Sequence, residues 1–77
     1  MDTNLVSDVC LAILDYLKAH PQACDTAEGI HNWWIKWPGL PESLVLTQHA
    51  LSLLESEGQL QRRKIGTSEL WSIAKRA

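Results

Sequence analysis

The sequence predicts an α+β domain that is mostly α, with three helices followed by a C-terminal β-hairpin. Three observations carry this expectation. Apolar residues recur at three- and four-residue spacing from Asn4 to Ala19 and again before Gly58. Proline and glycine punctuate the chain at Pro21, Pro38-Gly39, Pro41 and Gly58. Beyond Gly58 the helical spacing gives way to alternation.

The first helix is expected over Asn4–Ala19. Leu5, Val6, Val9, Cys10, Ile13, Leu14 and Leu17 form its apolar stripe, while Asp8, Asp15 and Lys18 fall outside it. Asp2, Thr3 and Asn4 offer capping oxygens, and His20-Pro21 ends the helix because proline disfavours helical geometry in the residue before it. Pro21–Cys24 reads as an extended link. A second helix is expected from a capping box, Asp25-Thr26-Ala27-Glu28, to about Ile35, carrying Ala27, Ile30, Trp33 and Trp34. Gly29 within it costs about 1 kcal/mol relative to alanine.

Lys36-Trp37-Pro38-Gly39-Leu40-Pro41 is a turn, and a third helix follows whose start is open: Pro41 in the first turn, Ser43 as cap, or Thr47 as cap. It ends at Gly58, a glycine suited to a left-handed C-terminal cap. Thr47, Ala50, Leu51 and Leu54 form its inner row, widened by Leu46 and Leu53. Val45, Gln48, His49 and Ser52 lie opposite. Gln59–Lys64, Ile65–Ser68 and Glu69–Ile73 then read as strand, turn and strand, with Trp71, Ile73 and Leu60 on one face.

Seventy-seven residues make one domain, 1–77, with an ordered core expected over about 4–73. A chain this short buries only ~60% of its unfolded surface, leaving little room for a deep catalytic cleft beside a core. Met1-Asp2-Thr3-Asn4 lacks a basic, then apolar, leader, and no apolar run approaches the ~18 residues of a membrane span. A cytoplasmic domain without membrane contact is expected. Cys10 and Cys24 form no CxxC pair and read as two small buried apolar residues, with a disulfide as the alternative.

The net charge of −2 hides a split. Residues 1–58 hold two lysines against eight carboxylates, a net of −6. Residues 59–77 hold five cations against Glu69 alone, a net of +4. The run Arg62-Arg63-Lys64 either presents a local positive surface or guards a strand edge against aggregation.

The order helix, link, helix, turn, helix, hairpin resembles the winged helix-turn-helix family. The residues carrying the likeness are Ala50-Leu51-x-x-Leu54-x-x-x-Gly58-x-Leu60, then basic residues, a turn and Trp71-x-Ile73. The likeness spans roughly Val6 to Ile73. It implies a three-helix winged domain with a two- or three-stranded wing, the link near Ala23-Cys24 supplying the third strand. It also implies a DNA-binding transcriptional regulator of a small prokaryotic type, on double-stranded DNA.

By that resemblance the third helix enters the major groove. Its contact positions match Ser43, Leu44, Val45, Gln48, His49 and Ser52, with Gln48 suited to pair with adenine. Arg62, Arg63 and Lys64 would attract phosphate from the wing. The third helix departs from the family pattern: it holds no Lys or Arg and carries or adjoins Glu42, Glu55 and Glu57. Tight binding would therefore need a homodimer or a protein partner.

The alternative is a protein-interaction module on the same fold that has lost nucleic-acid binding. Trp33, Trp34 and Trp37 cannot all face inward, and Trp37 beside Pro38 is the expected exposed aromatic, with Leu40 as its interface neighbour. His20, His31 and His49 stand in separate elements and read as surface or cap residues rather than metal ligands. No nucleophile–base pairing and no phosphate-binding glycine loop is present, so neither an enzyme nor a cofactor is expected.

Overall fold

Helix α1 (Thr3–Ala19) turns the apolar stripe inward, burying Val6, Val9, Ile13 and Leu17. The computed structural model describes residues 3–74. Of the capping residues expected, Asp2 lies outside the described residues and Thr3 and Asn4 stand within the helix; of the tail expected over Ala74–Ala77, residues 75–77 lie outside them. Leu5, expected on the stripe, is 38% exposed because it sits at the stripe's margin.

After Pro21 the chain extends as β1 (Cys24–Asp25), the third strand anticipated at the link. It pairs antiparallel with β3 (Ser68–Ile73), Cys24 opposite Ser72 and Asp25 opposite Trp71. β2 (Leu60–Ile65) flanks β3 on its other side, giving the order β1-β3-β2. Register runs from Leu60 opposite Ile73 to Ile65 opposite Ser68, so the hairpin turns on Gly66-Thr67, the centre of the expected Ile65–Ser68 turn, and each strand reaches one residue further into it than expected. Gly66 alone in that turn has positive φ, +62°, the arrangement that a twisted two-residue hairpin favours.

Helix α2 (Ala27–Gly29) departs from expectation twice. Its cap is Thr26, whose Oγ1 accepts from Gly29 N–H at 3.1 Å, not Asp25. The Asp25 carboxylate instead accepts from Thr26 N–H at 2.7 Å and lies where a Gly29 Cβ would stand. The helix then widens into a π-helical segment, Ile30–Trp34. Ile35 follows as an extended C-cap residue (φ −103°, ψ 124°), and Ile30, His31, Trp34 and Ile35 are buried.

Helix α3 (Leu44–Ser56) starts at Ser43, whose Oγ accepts from Val45 N–H at 3.2 Å, which resolves the open start. It closes on Gly58 at φ +78°, with Gly58 N–H donating to Glu55 O and Gln59 N–H to Leu54 O, both at 3.0 Å. This paired closure is the Schellman motif. Leu46, Thr47, Ala50, Leu51 and Leu54 are buried against α1, while Leu53 stays at the margin and is 39% exposed.

Leu60 and Trp71 cover the open side of the helices, whereas Ile73 remains partly exposed at the sheet's end. The architecture is mostly helical α+β: three helices and a three-stranded antiparallel sheet, with a hairpin beside α3.

One polar contact lies inside this core. His31 Nδ1 and Thr47 Oγ1 are 2.6 Å apart, with His31 7% and Thr47 0% exposed. His31 is thus not the surface or cap residue expected, because it lies on the buried side of the segment with Ile30 and Trp34, where its ring meets Thr47 of α3. Trp37 Nε1–H donates to His31 O at 2.8 Å, tying the following turn to the same residue.

Two predictions follow from these contacts. Replacing Thr47 with Val leaves the His31 nitrogen buried without its partner. Thr47→Val should lower unfolding free energy by about 1–3 kcal/mol in urea denaturation. Gly29→Ala should bring no stabilisation, since its methyl displaces the Asp25 carboxylate from Thr26 N–H. On an Asp25→Ala background the same change should add up to ~1 kcal/mol, a double-mutant cycle readable from the denaturation midpoints.

Candidate functional site

The outer face of α3 and the hairpin frame a polar cleft of about 460 Å³. Helical spacing puts Gln48 and Ser52 one turn apart on its wall, and Arg62 and Glu69 approach from the hairpin. Ser43 and His49 are exposed on the same side of α3 but stand outside this lining, and the Ser43 oxygen is already engaged as the helix cap. The Thr26 cap and Glu28 of α2 close the far end.

The wing cations do not act as one patch. Residues alternate between the two faces of a strand, so Arg62 and Lys64 lie on the α3 side with Leu60, and Arg63 lies on the opposite side. Arg63 borders a separate depression with Pro21, Gln22 and Cys24. Arg62 is engaged three ways: Nε lies 3.4 Å from a Glu55 carboxylate oxygen, Nη1 lies 3.1 Å from one of Glu69, and its guanidinium carbon is 5.3 Å from the Trp71 ring centroid. Pairing of β2 with β3 brings Glu69 diagonally beside Arg62, and the packing of α3 on the hairpin adds Glu55.

The Arg62 bridges are half-exposed and worth at most ~1 kcal/mol each, so they do not immobilise the side chain. The greater effect is that Glu55 and Glu69 remain beside any phosphate that Arg62 would reach, and oppose it.

A second candidate surface lies on the other side of the molecule, between α1 and the turn after the π segment. Leu5, Val9, Ala12, Ile35, Trp37 and Leu40 line a groove of about 650 Å³ there. Leu40, 90% exposed, is its most accessible apolar side chain. Trp37 is only half-exposed, contrary to expectation, because its indole N–H is satisfied inside by the His31 carbonyl. Trp33 is the exposed aromatic, at 78%, while Trp34 is buried and stacks on Tyr16 with centroids 4.6 Å apart. The inward positions of the π segment are taken by Ile30, His31 and Trp34, which leaves Trp33 outward.

No group of three or more metal-ligating side chains gathers among the described residues. Cys10 and Cys24 are both free. Cys10 is partly buried, its thiol 3.8 Å from Ala50 O, and burial pushes the thiol's pKa up, with the Glu57 carboxylate adding to the shift. Cys24 is exposed on β1 rather than buried, because the short strand lies at the sheet's edge.

No family model, no curated protein and no solved structure matches the chain. No helix among the described residues is long and apolar enough to cross a membrane.

The two thiols should separate chemically. Iodoacetamide should label Cys24 first, with Cys10 lagging, since alkylation needs the thiolate and burial disfavours it. Peptide mass spectrometry over rising pH should show Cys10 requiring the more alkaline condition. Equal rates at every pH would contradict the packing of Cys10 against α3.

Proposed function

We propose that this domain is a protein-interaction module built on a winged helix-like scaffold, and that the groove of Trp37 and Leu40 is its binding surface. The observation that carries the reading is a contrast between the two faces. The α3 face offers no Lys or Arg from the helix, and its central wing cation is flanked by two carboxylates. The groove offers contiguous apolar side chains, with Leu40 almost wholly in solvent.

Magnitudes favour this reading. Duplex binding draws most of its non-specific strength from phosphate contacts, each releasing counterions. Arg63 and Lys64, on opposite faces of the hairpin, supply few such contacts at once. Removing exposed apolar surface from water yields ~25 cal/mol per Å², and an aromatic or leucine anchor in a pocket is the usual centre of a protein interface.

A second reading, DNA binding through Ser43, Gln48, His49 and Ser52 with Arg62, Arg63 and Lys64, has one observation in its favour. Gln48, Ser52 and Arg62 share a single cleft beside an exposed helix face. In that case the protein would act as a transcriptional regulator, with the acids of α3 restricting it to weak binding unless a second copy or a partner adds contacts.

Titration with duplex DNA at low salt, followed by amide shifts, separates the two readings. The protein-interaction reading expects no localised shifts on α3 or the hairpin. Shifts at Gln48, Ser52 and Arg62 that fade as salt rises would overturn it in favour of DNA, and the slope against salt would count the phosphates engaged.

A further inference from the structure

We infer that the α1 groove receives an amphipathic helix from a partner protein, with lysine or arginine along one flank of that helix. This inference rests on the protein-interaction reading and adds the chemistry of the occupant.

Shape comes first. The groove of Leu5, Val9 and Trp37 adjoins a second depression of about 420 Å³ lined by Tyr16, His20 and Trp34. Ala12 and Lys36 border both, so the two form one trough along α1. From Leu5 to Ala19 the helix rises ~21 Å, about four turns, the length over which a bound helix presents anchors at i, i+3, i+4 and i+7.

Its walls are fixed before anything binds: the Trp37 indole N–H is held by His31 O, and Trp34 stacks on Tyr16. A preformed surface loses less ordering entropy on association. Both walls are helix or turn, and the sheet lies elsewhere, so no strand edge is available there for an extended peptide to pair with.

Charge selects the flank. Asp8 and Asp15, seven residues apart, lie on one side of α1 along the trough, and Glu42 stands on the opposite wall. Lys36 is the one lysine among the lining residues. None of these four is ion-paired among the described residues. An acidic rim of this kind favours cations on the incoming helix. It also disfavours a second copy of this chain as occupant, because a two-fold dimer over this face would bring two acidic rims together.

The test uses the full chain and three synthetic peptides, read by amide and indole shifts. One peptide is a sixteen-residue helix with leucines at the stated spacing and a lysine flank. The second replaces those lysines with glutamates, and the third is proline-rich with PxxP spacing. The lysine peptide should move the Trp37 indole, Ala12 and Leu40, and bind more tightly than the glutamate peptide.

Asp8→Lys with Asp15→Lys should weaken the lysine peptide by about tenfold and strengthen the glutamate one. Glu55→Lys with Glu57→Lys, an equal change in net charge away from the trough, should alter neither by more than about threefold. All these positions are solvent-facing or partly so, and amide spectra of the free variants check that the fold is kept.

Equal affinity for the two helical peptides, or equal effects of the two charge reversals, would overturn the basic-flank inference while leaving protein binding at the groove intact. Preference for the proline-rich peptide, or concentration-dependent dimerisation over the groove in light scattering, would overturn the helical occupant. A groove silent to all three peptides at millimolar concentration would also overturn it. If duplex DNA then moved α3 and the hairpin, the protein-interaction reading would fall as well.

Discussion

The buried contact between His31 and Thr47 sets the position of both candidate surfaces. Thr47 stands on the inner row of α3, so pairing it with His31 fixes how that helix is rotated and which residues it shows to solvent. The His31 carbonyl then receives the Trp37 indole, which shapes the turn forming one wall of the α1 groove. A polar pair inside a small core is costly if left unsatisfied, and among the described residues no buried side-chain polar atom lacks a partner. One satisfied pair thus constrains two surfaces on different sides of the domain.

Electrostatics divides those surfaces. The acidic body and the basic hairpin, far apart in charge along the chain, meet where α3 packs beside β2 and β3. Arg62 is where they meet, and its two glutamate neighbours offset its charge locally. The hairpin spreads its other two cations over opposite faces by the alternation of strand side chains. A run of three basic residues in sequence is therefore not a basic patch in space. The groove along α1 escapes this neutralisation, and among the described residues its acids make no ion pair.

Much of the fold was legible in the chain. The stripe of Val6, Val9, Ile13 and Leu17, the inner row before Gly58 and the left-handed glycine follow from local rules of period and punctuation, whereas the third strand at Cys24 was anticipated only by the winged-helix resemblance. The site was less so. His31 is polar, so hydropathy did not mark it as inward, and the contacts that decide His31 and Trp37 are to Thr47, sixteen residues on in α3, and to the His31 carbonyl. Thr26 and Asp25 both offer capping oxygens, and the choice between them turned on the close approach of Asp25 to Gly29.

By itself the sequence determined the elements, their order, the inward face of α1 and α3, and the charge imbalance between body and hairpin. These depend on residues near one another along the chain, whose spacing is already written. Only the tertiary structure decided that Arg62 sits between Glu55 and Glu69, that Cys24 and Trp33 face solvent while His31 does not, and that Leu5 and Leu40 border one trough. Those outcomes depend on distances between residues remote in sequence, which are set when helices and sheet pack together rather than by the local pattern of any one of them.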